Sequence, residues 1–135
     1  MASKYQHVID YMNEIPGFNS QNNIVLTVLE DDYAEGRVEL DCYSLNTNGH
    51  VHGGLLYSAS DYVGGFAASR DDKACVTESG SIHYLRPGTG EYLVVKAWPV
   101  KIGKKVAVVD VSVFDDNERL LTKGTFTYFF MIKDF

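Results

Sequence analysis

A single formally charged side chain, Asp61, stands between Asp41 and Arg70. Inside that interval, residues 54–69 read as a helix. Its Ser58, Ala59, Ser60, Gly64, Gly65, Ala67, Ala68 and Ser69 would let other elements come close on every side. A helix without a solvated face has to be buried, so the rest of the chain must supply what buries it. The chain's 135 residues are the length of one domain. A hydrophobic share of 45% is that of a globular chain, which excludes disorder over most of it.

The flanking segments are mostly strand-like. Residues 3–14 place Val8, Ile9, Tyr11 and Met12 at helical spacing, with Ser3 as N-cap and Pro16-Gly17 as the stop. Residues 24–30 are aliphatic and β-branched. In 34–41, Ala34, Gly36, Val38 and Leu40 alternate with Glu35, Arg37, Glu39 and Asp41, the order of a half-exposed strand. Asp31-Asp32 between these runs predicts a hairpin. Asn46-Thr47-Asn48-Gly49 is a loop signal. Strands are predicted at 75–85, 92–101, 104–114 and 120–132, and the short turn-rich gaps between them predict antiparallel neighbours. The order satisfies one α+β domain over 1–135: an N-terminal helix at 3–14, then a core at 22–132 in which one antiparallel sheet wraps one central helix.

A net charge of −6 argues against nucleic acid or an anionic membrane as the main partner. Cys42 and Cys75 stand alone, without the spacing of a metal site. The opening residues carry no apolar run, so a cytoplasmic setting with free thiols is expected. Residues 51–69 are too few and too polar to span a bilayer.

Burying an unpaired carboxylate costs several kcal/mol or forces it to take up a proton. Asp61 is therefore either satisfied by a structural partner or kept for chemistry. Gly53-Gly54 falls where the helix should start. There the first amides have no internal partners and lie at the positive end of the helix dipole. Glycine lets a substrate carbonyl approach them, and such amides can hold an oxyanion. A tight turn would also account for the pair.

Together these residues form N-x-x-G-x-x-H-G-G-x6-D, with Asn46, Gly49, His52, Gly53, Gly54 and Asp61 in register. The pattern resembles the hot-dog fold thioesterases, in particular the phenylacetate-pathway type of acyl-CoA thioesterase. The flanks resemble them too: residues 82–87 look like the family's strand ending in Pro87, and Gly103-Lys104-Lys105 like its basic hairpin turn. The resemblance implies the hot-dog fold and hydrolysis of an acyl- or aryl-acyl-CoA to free acid and CoA. The thioester is the substrate, no cofactor is implied, and the assembly is a homodimer or homotetramer. It implies that Asp61 acts as nucleophile or general base, that the Gly53 amide polarises the carbonyl, and that Asn46 orients water or carbonyl. Thr77 falls where relatives carry a hydroxyl beside that water. It implies substrate-binding roles for His52 and Gly54, with His52 either shaping the loop or acting directly in catalysis.

Lys104, Lys105 and Arg86 are candidates for the CoA phosphates in an otherwise acidic chain. His50 reads as loop surface and His83 as strand surface. Tyr57, one turn before Asp61, reads as core. A hydratase or dehydratase on the same fold would need a histidine acting with the acid, and the histidine- and proline-rich loop of that branch is absent. A non-catalytic acyl-CoA sensor usually adds a DNA-binding segment, and about twenty residues before the first strand are too few for a helix-turn-helix.

Gly53 and Asp61 are eight positions apart, roughly 12 Å along one helix. A reacting carbonyl must lie about 3 Å from both the oxyanion donor and the attacking group. The expectation is a site shared across a two-fold axis.

Overall fold

The computed structural model describes residues 4–69 and 74–131. It opens on helix α1 (Gln6–Glu14), which ends where Ile15 turns extended (ψ 122°), as the residue before a proline must. The expected cap, Ser3, lies outside the described residues. The side chain of Asn13 ties α1 to the sheet: its Nδ2 donates to the Leu26 carbonyl and its Oδ1 accepts from the Leu26 amide, both at 2.8 Å. A short helix α2 (Phe18–Gln21) follows. The sequence reading did not include it. It is held by Ser20 Oγ, which accepts from the Gly17 amide at 2.9 Å and donates to the Gly17 carbonyl at 3.0 Å.

Strands β1 (Ile24–Glu30) and β2 (Tyr33–Glu39) form the expected hairpin, with a bulge at Thr27. Ala34, Gly36 and Val38 face inward and are buried. A 3-10 turn at Cys42–Ser44 and a loop lead into helix α3 (Gly53–Ala68). Strands β3 (Cys75–Tyr84), β4 (Tyr92–Ile102), β5 (Val106–Asp115) and β6 (Leu120–Phe130) complete a six-stranded antiparallel sheet of order β1-β2-β4-β5-β6-β3. The last predicted strand was drawn to Ile132, which lies outside the described residues.

The pairing of β3 corrects the sequence expectation. It does not neighbour β4 but pairs with β6 at the far edge, while β4 pairs with β2. The connection 85–91 is longer than the two to five residues of a tight hairpin. Its Leu85 and Arg86 amides donate to the Leu121 carbonyl, and its Gly88 carbonyl accepts from the Val51 amide. The crossover is thus fastened to β6 on one side and to the loop before α3 on the other.

α3 lies in the concave face of the sheet. Leu55, Leu56, Ala59, Val63, Ala67 and Ala68 pack onto Leu93, Val95, Val109, Val111 and Val113. The sheet comes close at Gly64. A Cβ there would lie 2.4 Å from the Tyr128 hydroxyl and 3.1 Å from a Val111 methyl. The Tyr128 hydroxyl cannot move freely, because it donates to the Asp61 carbonyl at 2.9 Å. Gly64→Ala should therefore destabilise the protein by about 1–3 kcal/mol, despite a gain of about 1 kcal/mol in helix propensity. A urea denaturation midpoint at or above that of the parent would show that the contact relaxes freely.

The helix is not buried all round, as its composition had led us to expect. Tyr57, Ser58, Asp61, Tyr62, Gly65 and Phe66 form a half-exposed face. One curved sheet covers one side of a helix, and nothing among the described residues covers the other.

Candidate active site

The loop entering α3 is built by Asn46. Its Oδ1 accepts from the amides of Asn48 (2.9 Å) and His50 (3.1 Å), and its own amide donates to the His50 carbonyl at 2.7 Å. Gly49 turns the chain at φ +80°, a conformation that favours glycine. An isolated bridge between Leu45 and Val51 closes the loop. His52 then caps α3: its Nδ1 accepts from the Gly54 amide at 2.8 Å. This bond engages the Gly54 amide and leaves the Gly53 amide, the first of the helix, without a described acceptor. The Tyr84 hydroxyl donates to the Gly53 carbonyl at 2.8 Å. A cavity of about 350 Å³ opens there, lined by Asn46, His50, Gly53, Tyr84 and Arg86. His50 is thus half-buried in a cavity wall rather than free on the loop surface.

Two turns along α3, Asp61 lies half-buried in a second cavity of about 270 Å³, walled by Tyr62, Phe66, Cys75, Thr77 and Tyr128. Thr77 Oγ1 donates to Asp61 Oδ1 at 2.6 Å. Thr77 pairs with Tyr128 and Ser79 with Thr127, so Glu78 is the extra residue of a β-bulge beside the acid. Bulges re-aim neighbouring side chains. Burial raises the Tyr128 phenol pKa, with the charge of Asp61 adding to it, so Tyr128 stays a donor. Burial likewise pushes the Cys75 thiol up, and its Sγ already contacts Ser69 Oγ at 3.3 Å. Cys75 is therefore a neutral wall of this cavity and not a rival nucleophile.

The structure brings Asp61 and Thr77 together, and it brings Asn46, Gly53 and Arg86 together. The two groups lie at separate places along one helix, at Gly53 and at Asp61 of α3. Lys104 and Lys105 are exposed in the β4–β5 turn and line neither cavity. The Lys105 carbonyl accepts from the amide of Phe130, which pairs across the sheet with Cys75, a wall of the acid cavity. Tyr57 is half-buried and packs against the core, its ring 5.2 Å from that of Phe126 between centroids. His83 is exposed on β3. The sequence reading missed Tyr62, Phe66, Tyr84 and Tyr128. For the first two a signal existed in their own i, i+4 spacing just after Asp61. Among the described residues no group of three or more His, Cys, Asp or Glu could hold a metal ion. No described helix is long and apolar enough to cross a membrane.

A six-stranded antiparallel sheet with a helix packed on it is the architecture of the hot-dog fold. The chain belongs to the thioesterase superfamily, whose family model matches residues 48–122, more than half its length. It is similar to a provisionally named esterase of Saccharolobus solfataricus, at 31% identity over 102 residues, 74% of this chain and 68% of that protein. It is also similar to the acyl-coenzyme A thioesterase PaaI of Escherichia coli K12, at 26% identity over 92 residues, 67% of this chain and 66% of that one. Among solved structures, a Streptococcus mutans protein bound to acetyl-CoA matches with a TM-score of 0.78 at 29% identity, over 87% of this chain and 94% of that one.

Proposed function

We propose that this protein hydrolyses acyl- or aryl-acyl-CoA thioesters to the free acid and CoA, at a site assembled from two copies of the chain. The Gly53 amide of one copy polarises the thioester carbonyl, with Asn46 Nδ2 as a second donor. Asp61 of the other copy takes a proton from water as that water adds to the carbonyl carbon. When the C–S bond breaks, the same proton passes to the leaving CoA sulfur. Thr77 holds Asp61 Oδ1 and leaves Oδ2 to act as the base. His52 holds the loop, and by engaging Gly54 it leaves Gly53 for substrate. Carboxylate, amide and water suffice for these steps, so no resident cofactor is invoked. Two free cysteines suit a reducing, cytoplasmic compartment.

The observation that carries this reading is the Asp61–Thr77 hydrogen bond in the wall of a cavity, with Asp61 on the same helix as a Gly53 amide that has no described acceptor. The half-exposed helix face and the β3 edge support the shared site, because Val76 on that edge is 48% exposed and no described strand pairs beyond it. A second copy pairing there would extend the sheet and bring two α3 helices side by side. A thiol-release assay over a panel of acyl-CoAs tests the activity. Turnover of none of them would reject it.

We place the CoA phosphates at Lys104 and Lys105, with Arg86 at the helix-start cavity. Lys104→Ala with Lys105→Ala should raise KM for acyl-CoA by up to about tenfold, the scale of two exposed charged contacts. It should leave kcat little changed, because contacts remote from the reacting carbon bind ground and transition states alike. A truncated thioester without the nucleotide should not sense the change, and equal sensitivity would remove the phosphate role.

A further inference from the structure

A cavity of about 490 Å³ lies between the α1–α2 connection and the start of β1. Met12, Ile15, Phe18, Ile24 and Tyr62 are among its walls. Tyr62 also lines the Asp61 cavity, so one residue borders both spaces. That ring stands edge-on to Phe66, with centroids 5.0 Å apart and planes at 85°. Small-molecule sites run to roughly 300–1,000 Å³. The space beside Asp61, at about 270 Å³, falls short of that range, and the larger cavity falls inside it.

The chemistry of the larger cavity is set by which of its polar groups are already engaged. Asn13 is bonded to the Leu26 backbone, Ser20 to Gly17, Asn23 to the Glu39 carbonyl and Asp41, and Glu39 to Arg37. Asn19 and Tyr62 add two further polar side chains to the walls, and the rest of the lining named above offers an occupant apolar contact.

We propose that this cavity is a second acyl chamber, which takes the distal end of an apolar acyl chain whose thioester is held at Asp61, with Tyr62 as the partition that sets how much chain enters. The inference rests on the acyl-CoA reading above and extends it to a substrate class, straight apolar acyl groups longer than acetyl. Each methylene lodged in the chamber should raise kcat/KM about fourfold, from roughly 0.8 kcal/mol per buried CH2.

The test is kcat/KM over a straight-chain series from acetyl- to dodecanoyl-CoA, measured by thiol release on the full chain. Tyr62→Ala removes the partition and should raise the ratio of long- to short-chain kcat/KM about tenfold. Gly17→Trp acts from the opposite wall. A Cβ at Gly17 meets nothing within 4 Å, so the indole has open space to fill, and the same ratio should fall about tenfold. A shift in the stated direction in either folded variant supports the chamber. Ratios that stay at the parental value in both, or move the other way, overturn it while leaving the hydrolase reading intact. A parent that turns over no acyl-CoA removes both.

Discussion

Asp61→Asn is expected to lower kcat for acyl-CoA hydrolysis by about two to four orders of magnitude, the scale of losing a general base. The substitution keeps the side chain's shape and removes its basicity. The amide oxygen can still accept from Thr77, whose Oγ1 lies 2.6 Å from the native carboxylate. The backbone bond from the Tyr128 hydroxyl to the carbonyl of residue 61 is untouched. Folding should therefore survive, and KM should change far less than kcat. A variant that hydrolyses every substrate near the parental rate would make Asp61 a structural acid and discard the mechanism.

The second large effect is a recovery of activity from two inactive proteins. Asn46→Ala removes the loop side of the site, and Asp61→Asn removes the acid side. Unfolded together, mixed and refolded, the two chains should pair at random, so that about half the dimers are mixed. In each mixed dimer one site carries both substitutions and the other carries neither. Activity should return to about a quarter of the parental value. The geometric reason is the spacing of Gly53 and Asp61 along α3, roughly 12 Å at about 1.5 Å per residue. Recovery no greater than the sum of the two variants would mean that each chain builds its own site.

Much of this was legible in the residues. The hairpin at Asp31-Asp32, the stop at Pro16 and the loop at Asn46–Gly49 are local signals, and local signals survive folding. The partner of β3 was not legible. Its place depends on where the 85–91 connection is fastened, to Leu121 and Val51, and no periodicity within β3 reports that. The open face of α3 was misread for a related reason. A face covered by another copy of the chain has the same apolar composition as a face covered by a sheet, so the absence of charge says that α3 is to be buried without saying by what. Tyr62 and Phe66 were visible at their spacing, but aromatic residues build ordinary cores as often as cavities. α2 and the tie from Asn13 to Leu26 rest on single side-chain bonds that no pattern announces.

That tie has a consequence for how the molecule behaves at high concentration. A six-stranded open sheet has two raw edges, and a protein that could add strands at both would grow into a ribbon without end. At β1 the amide group of Asn13 already occupies the N–H and C=O of Leu26, and the bulge at Thr27 bends the same margin. That rim is thereby interrupted at Leu26 by a single side chain, whereas at the other edge no described strand pairs beyond β3. If copies of the chain pair as proposed, they would meet at β3, and the same asparagine that anchors a helix keeps Leu26 from joining a second such seam.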